Sequence, residues 1–489
     1  MESAASDRSW LKPTVLLCVY GIFSYMKPSE PFLTPYLMGL SKNFTEFEVV
    51  NEIYPVWTYA YVCFLLPVFL LTDYVKYKPV ILMQGLGYIG CWILLLFAQE
   101  VPLMQVMQVS YAIATAGEIG YYSYIYSIVK QEHYQRVTSY VRSTTLIGLF
   151  LGSLIGQLLV LFADVTYFDL NIFSLVNVSI AFVISWFLPM PKKTLFFFTE
   201  EEDMSGSIES TYLNEENPAE KASEVNADGI TIEERGPTFL APKPNPKNKS
   251  KIDWKGVLVR LWADVKGCYM NTVLLRWSLW WALSTCGWLL VVNYAQNLWE
   301  TIHSSAEGEV YNGAVEATAT VLGALGAFCV GFIKLNWTRW GEIALGLCSL
   351  CKCGLLLLMY WTTDIWLCYA AYVGFIVLYN FVITITQFQL AVGLNTQRFA
   401  LVFGVNTFTA VLLNTVLTVI LIDKAGFGLD VNTQFIIYSG YFAIIAVIFL
   451  LHGVYFLCKN GFSGGSSFSV SAPEEEDPKT IKISEQTPL

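Results

Sequence analysis

Residues 79–98 read PVILMQGLGYIGCWILLLFA, twenty positions without one charged side chain. A bilayer core about 30 Å thick takes about 20 apolar residues to cross as a helix rising 1.5 Å per residue. Eleven further runs satisfy the same requirement, at roughly 13–38, 49–71, 103–129, 143–164 and 170–190, then 273–299, 311–333, 342–361, 366–391, 400–422 and 434–458. The first is no cleaved leader, because it carries Lys27, Pro28 and Pro31 and no small-residue cleavage site follows it. A chain of 489 residues that is 55% hydrophobic and 14% charged stands apart from soluble domains, which carry about 25% charge. The reading is an all-α membrane protein with lipid as its principal environment.

The net charge of −10 is unevenly placed. Residues 199–236 hold twelve acids and two bases, and the tail from 460 holds five acids and two bases, leaving 25 bases against 22 acids elsewhere. The acidity belongs to two polar segments, and a net negative chain argues against nucleic-acid binding. The eleven cysteines fall mostly in apolar runs, as Cys18, Cys91 and Cys286 do, which suits helix packing better than a disulfide framework or a metal site. No cofactor motif is visible. Nor is there a nucleophile–base pair or a phosphate loop, so an enzyme is not expected.

Orientation follows from the basic residues. Loops after even-numbered runs carry Lys76, Lys78, Lys130, Arg136, Lys334, Arg339 and Arg398, whereas loops after odd-numbered runs carry only Lys42 and Lys424. The positive-inside rule puts the first set, and both termini, in the cytosol. Asn43-Phe44-Thr45 then lies in the first outward loop and is the expected glycan acceptor. The long break at 191–272 divides the runs six and six. The expected organisation is a cytosolic N-terminus (1–12), a six-helix bundle (13–190), a largely disordered linker (191–272), a second six-helix bundle (273–458) and a disordered cytosolic tail (459–489). Trp254, Val257, Leu258, Leu261 and Trp262 recur at helical spacing beside Lys255, Arg260 and Lys266, reading as an amphipathic helix on the inner surface or an extension of the seventh run. Two such halves place a ligand site between them at mid-membrane.

Polar residues inside the runs are functional candidates by default, since charge in hydrocarbon is costly. Lys27 and Glu30, three apart, are expected to pair near the membrane edge. Glu52 is explained by its place at a helix start. Gln105, Gln108, Tyr111, Thr115, Glu118 and Tyr122 step by three or four down the fourth run, a polar stripe that must face protein or a cavity. Arg142 is the expected partner of Glu118. In the second half, Asn293 and Tyr294 lie between Trp288 and Trp299, Glu316 sits near the outward end of its run, and Tyr372 and Asn414 add polar atoms. Aromatic rings with a few carboxylates suit a flat, cationic, aromatic ligand.

The stretches Asn51-Glu52-Ile53-Tyr54-Pro55-Val56-Trp57-Thr58-Tyr59, Tyr124-Ile125-Tyr126-Ser127 and the Leu71–Pro79 turn resemble solute carrier family 19, the thiamine transporters and reduced folate carrier. Trp277-Ser278-Leu279-Trp280-Trp281, Tyr311-Asn312-Gly313-Ala314-Val315-Glu316 and Ala400-Leu401-Val402-Phe403-Gly404 extend the resemblance over essentially all the runs. It implies the major facilitator fold, twelve transmembrane helices in two pseudo-symmetric halves, and carriage of an organic vitamin across the plasma membrane by alternating access. Trp57, Glu118, Asn293 and Glu316 are similar to the thiamine branch, and Asn414 is neutral where the folate carrier has a lysine. The substrate site implied is Tyr54, Trp57, Gln108, Tyr111, Glu118, Asn293 and Glu316, with thiamine as the expected small-molecule partner. Two departures, Gln108 for a family Glu and Ile376 for a basic residue, keep a pyridoxine-like vitamin or a folate-type anion open as alternatives.

Overall fold

Prolines at 28, 31 and 35 prevent the first run from continuing as one helix. The computed structural model describes residues 10–129, 133–190, 254–330, 337–392, 394 and 396–460. In it, α1 (Leu11–Tyr25) stops three residues before Pro28, a 3-10 turn spans Glu30–Phe32, and α2 covers Leu33–Met38. The continuous helix expected over 13–38 is therefore corrected to two helices around a polar break. A wide turn of helix, Glu48–Ile53, leads into α3 (Tyr54–Tyr74). Then follow α4 (Lys78–Phe97), α5 (Val101–Ile128), α6 (Tyr134–Phe162) and α7 (Tyr167–Trp186). After the central linker come α8 (Trp254–Tyr269), α9 (Thr272–Ile302), α10 (Asn312–Cys329), α11 (Trp337–Trp361), α12 (Ile365–Val392), α13 (Thr396–Leu421) and α14 (Val431–Asn460).

Local chemistry marks the helix starts. Thr166 and Asp169 close a reciprocal capping box on α7, and Asn271 accepts from the Val273 and Leu274 amides at the head of α9. Among the described residues, eight helices are long and apolar enough to cross a membrane on those grounds alone. α1 is short, and α5, α9 and α10 dilute their apolar runs with polar residues, but all four pack among the eight. Lipid contact is legible on α7, where Phe173, Val176, Ile180, Val183 and Phe187 are exposed at steps of three or four while Leu170, Ser174, Val178, Ala181 and Ser185 are buried.

Helix pairing repeats. α1 packs on α6 and α7, α3 on α5, and α4 on α5 and α7. Six spans later, α9 packs on α13 and α14, α10 on α12, and α11 on α12 and α14. The two sets meet along α6 against α10 and α3 against α13, contacts that the same two-fold relation exchanges. This is the arrangement of two parallel six-helix repeats, related by a two-fold axis along the central path between them.

One end of that path is closed by hydrogen bonds between the sets. Asn51 Nδ2 donates to the Ile422 carbonyl, and Lys424 Nζ pairs with Glu52 Oε2 at 2.8 Å. Tyr59 donates its hydroxyl proton to Asp423, and Gln157 both donates to the Val310 carbonyl at 2.9 Å and accepts from the Ala314 amide at 3.0 Å. Glu52 is thus more than a favourable charge at a helix start. Of the inner-loop bases, Lys130 and Lys334 lie outside the described residues, as does the acidic part of the linker and the tail from 461; α8 is helical and its Trp262 is exposed.

The break after α1 is accommodated by a glycine stripe on α6. A Cβ at Gly148 would come within 2.7 Å of the Ile22 carbonyl oxygen, and one at Gly152 within 2.7 Å of the Lys27 amide nitrogen. Small residues at this spacing let two backbones touch. Gly152→Leu is expected to lower the thermal midpoint of the detergent-solubilised protein by several degrees, through overpacking strain of about 1–3 kcal/mol. Gly440→Ala, where the added carbon meets nothing within 4 Å, is the control and should melt with the wild type. An unshifted Gly152→Leu protein would contradict the close approach.

Candidate functional site

With the helix interrupted at Met26, the Lys27 side chain turns into the bundle rather than along the membrane edge. Its ammonium is paired with Glu30 Oε1 at 2.9 Å and is almost wholly buried. Four rings surround it, Tyr88 at 4.9 Å, Tyr111 at 5.3 Å, Trp92 at 5.6 Å and Tyr25 at 5.8 Å from the nitrogen. The expected pair exists and is buried within the bundle, where an ammonium is tolerable because a carboxylate and ring faces replace its water. Tyr111 then donates to Glu30 Oε1 at 2.6 Å, tying α5 to the break.

The polar stripe of α5 faces this centre. Gln105 donates to the Glu52 carbonyl at 3.0 Å, Gln108 is buried one turn before Tyr111, and Thr115 lies 3.5 Å from the Trp57 indole nitrogen. Trp57 stacks on Tyr61 at 5.4 Å and meets the Tyr111 ring at 6.4 Å. Glu118 accepts from Tyr88 at 3.3 Å and feels both Lys27 and Glu30. The expected Glu118–Arg142 pair is corrected. Arg142 is exposed, its guanidinium 6.0 Å from the Tyr122 ring, and the cation that Glu118 feels is Lys27.

From the second set, Glu316 on α10 accepts from Tyr372 at 2.8 Å, and the Tyr372 ring sits edge-on to Trp299 at 4.9 Å. Glu30 and Glu316 lie within electrostatic range of one another across the divide. Tyr54 bonds Thr34 at 2.9 Å and its ring is 6.1 Å from Tyr294, next to the half-buried Asn293. Gln296 bridges the sets directly, donating to the Glu30 carbonyl at 3.0 Å and accepting from the Thr34 amide at 3.3 Å. Trp57, Tyr111 and Glu118 therefore gather around the Lys27 cage, Tyr54 joins α3 to α9, and Glu316 faces them from α10.

Sequence reasoning missed Tyr88, Trp92 and Gln296. Tyr88 and Trp92 are four apart, so they share one face of α4, which is the signal that was available. Gln296 carries none, because its partners are backbone atoms. Three carboxylates, Glu30, Glu118 and Glu316, and the Lys27 ammonium are thus gathered among aromatic rings, chemistry that suits a flat cation better than an anion.

A family model described as reduced folate carrier matches residues 8–437. The chain is 50% identical over 448 residues to thiamine transporter 1 of Homo sapiens, covering 91% of this chain and 90% of that one. With thiamine transporter 2 of Homo sapiens the identity is 49% over 456 residues, covering 91% and 90%. Among solved structures, the nucleoside transporter NupG superposes with a TM-score of 0.56 at 12% identity, covering 90% of this chain and 98% of that one, a likeness of fold.

Breaking the Lys27–Glu30 pair from one side leaves a buried, uncompensated charge. Lys27→Met is expected to cost about 3–5 kcal/mol, and the Lys27→Met, Glu30→Gln double variant to regain part of that. Thermal unfolding followed by tryptophan fluorescence reads the difference; strictly additive losses would show that the two groups are not coupled.

Proposed function

Since the chain belongs to the reduced folate carrier family, we propose that it imports thiamine, or a closely related cationic and aromatic vitamin, across the plasma membrane. It is a multi-pass membrane transporter of the major facilitator fold and not an enzyme. The observation that carries the substrate reading is the gathering of three carboxylates, Glu30, Glu118 and Glu316, among aromatic rings, with Lys27 paired to one of them. An anion such as a folate would meet carboxylates rather than basic groups there, and the two relatives named as thiamine transporters support the cationic reading.

In this reading Trp57 and Tyr111 stack on the ligand, Gln108 and Asn293 hydrogen-bond its pyrimidine edge, and Glu316 compensates its positive ring. Tyr54 shapes the wall toward α9. Glu118 acts as a second acid, held by Tyr88 and balanced by Lys27. Gln108 supplies hydrogen bonds without charge, and this favours a less cationic ring, such as a pyridoxine-like one, as the second reading.

The basic loops assign the closed end to the extracellular side and both termini to the cytosol. Asn43 is exposed on that outward side, with φ 54°, and is the proposed glycan acceptor. Movement consists of the two six-helix halves rocking about the cavity, opening the Asn51, Glu52 and Gln157 contacts. A ligand drives this only through unequal affinity for the two states.

Cells displaying the chain should take up labelled thiamine saturably; background uptake with the protein at the surface would reject thiamine. Gln108→Glu is expected to lower KM for thiamine about tenfold, and Glu316→Gln to raise it by a similar factor, each near 1.4 kcal/mol. Unchanged kinetics would remove that position from the site. Cysteines placed at 52 and 424 should, once oxidised, hold the outer end shut and stop uptake until reduced. Undiminished uptake by the oxidised form would refute the rocking axis.

A further inference from the structure

Lys352 lies on α11, outside the cavity just described, and its side chain is fully buried. Its ammonium donates to Ser284 Oγ at 2.7 Å and is otherwise ringed by aromatic faces, Phe442 at 4.6 Å, Trp280 at 4.9 Å and Tyr379 at 5.8 Å. The other two buried lysines are compensated differently. Lys27 has the Glu30 carboxylate, and Lys42 has the Leu96 and Ala98 carbonyls at the end of α4. Among the described residues no carboxylate pairs with Lys352.

The groups facing it from each neighbouring helix are few. α11 itself contributes Cys348, α9 contributes Ser284 and Trp280, α12 contributes Tyr379, and α14 contributes Phe442. The nearby phenol Tyr441 is engaged with the Leu283 carbonyl at 2.8 Å. None of these supplies a fixed negative charge. A buried cation without one is costly, so the ammonium and the neutral amine lie closer in free energy here than at any surface lysine. Both forms fit the pocket: the ammonium donates to Ser284 and lies over ring faces, and the neutral amine accepts the Ser284 hydroxyl proton and packs as a hydrocarbon.

The pocket is connected to the cavity. Ser284 and Thr285 are consecutive on α9, and Thr285 bonds the Tyr379 hydroxyl at 3.1 Å. The Tyr379 ring stacks on Trp288 at 4.9 Å and 9°, and Arg142 from the other half is within electrostatic range of its phenol. Trp288 is just over one turn from Asn293. A cation held beside Asn293 and Glu316 and an ammonium at Lys352 repel through low-dielectric protein.

We propose that Lys352 is a proton-exchange site linked to occupancy of the cavity. When a cationic ligand enters, one N–H bond of the ammonium breaks, the electron pair stays on Nζ, and the proton forms an O–H bond to a water molecule, giving hydronium that the buffer takes up. This rests on the cationic-substrate reading above, so its test separates the two.

Purified full-length protein is titrated with thiamine by calorimetry between pH 6 and pH 8, in two buffers of different ionisation enthalpy. Wild type is expected to release protons on binding and to bind about tenfold more weakly at pH 6 than at pH 8. Glu30, Glu118 and Glu316 contribute to both quantities, so the comparison is with Lys352→Met, which should release fewer protons and show a flatter profile. Lys352→Arg, permanently charged, should bind weakly at both pH values. Ser284→Ala keeps the lysine and removes its hydrogen-bond partner, so the midpoint of the profile should move down. A Lys352→Met protein with the wild-type profile and proton count overturns the assignment. If Lys352→Met does not fold, an unmoved midpoint in Ser284→Ala does so. Folded wild type that binds no thiamine at any pH defeats the substrate reading instead.

Discussion

A lysine ammonium in the interior of a bilayer protein has to be met by something other than water, and the way Lys27 is met organises the first half of the molecule. The break that the prolines impose between α1 and α2 turns Lys27 and Glu30 into the bundle, where they pair. That pair fixes Tyr111, Tyr111 orders the stripe of α5, and Tyr88 in the same cage reaches Glu118. The glycines of α6 are the steric counterpart, since the unwound backbone needs a neighbour with no side chain in the way. Charge pairing and backbone packing are thus one constraint seen from two sides.

The second half solves the burial of charge differently. Glu316 is satisfied by a phenol, and Lys352 by a hydroxyl and three ring faces. Neither has an opposite charge beside it among the described residues. The second half has a charged network of its own, Arg276–Glu342–His452, but Glu316 and Lys352 lie outside it. The two halves share a helix-packing pattern without sharing an electrostatic design.

The fold was legible because lipid imposes a length and a polarity rule on each crossing helix, and runs such as 79–98 obey it without ambiguity. The stripe on α5 was legible for the same reason, as polar side chains at helical spacing have no place against lipid. The interruption of the first run was not read, although Pro28, Pro31 and Pro35 announce it, because hydropathy averages over prolines. Tertiary partners were the weak point. Arg142 was matched to Glu118 by proximity in sequence and sign of charge, while the actual neighbours, Lys27 and Tyr88, come from α1 and α4. Gln296 was invisible because its partners are peptide groups, which have no letter in the sequence.

That last point extends to three of the contacts between the halves. Asn51 binds the carbonyls of Ile422 and Leu429, Gln157 binds the peptide groups of Val310 and Ala314, and Gln296 those of Glu30 and Thr34. In each case one side-chain amide reads main chain. The buried Val310 and Ile422 are held to apolar side chains, but residues 314 and 429 can change identity while the joint keeps its geometry. Residues 51, 157 and 296 cannot, because a one-atom change from amide to carboxylate removes the donor. Each half thus supplies both a reading amide and main chain to be read, Asn51 and Gln157 from the first and Gln296 from the second, so closure depends on three amides and on backbone position more than on the side chains opposite them.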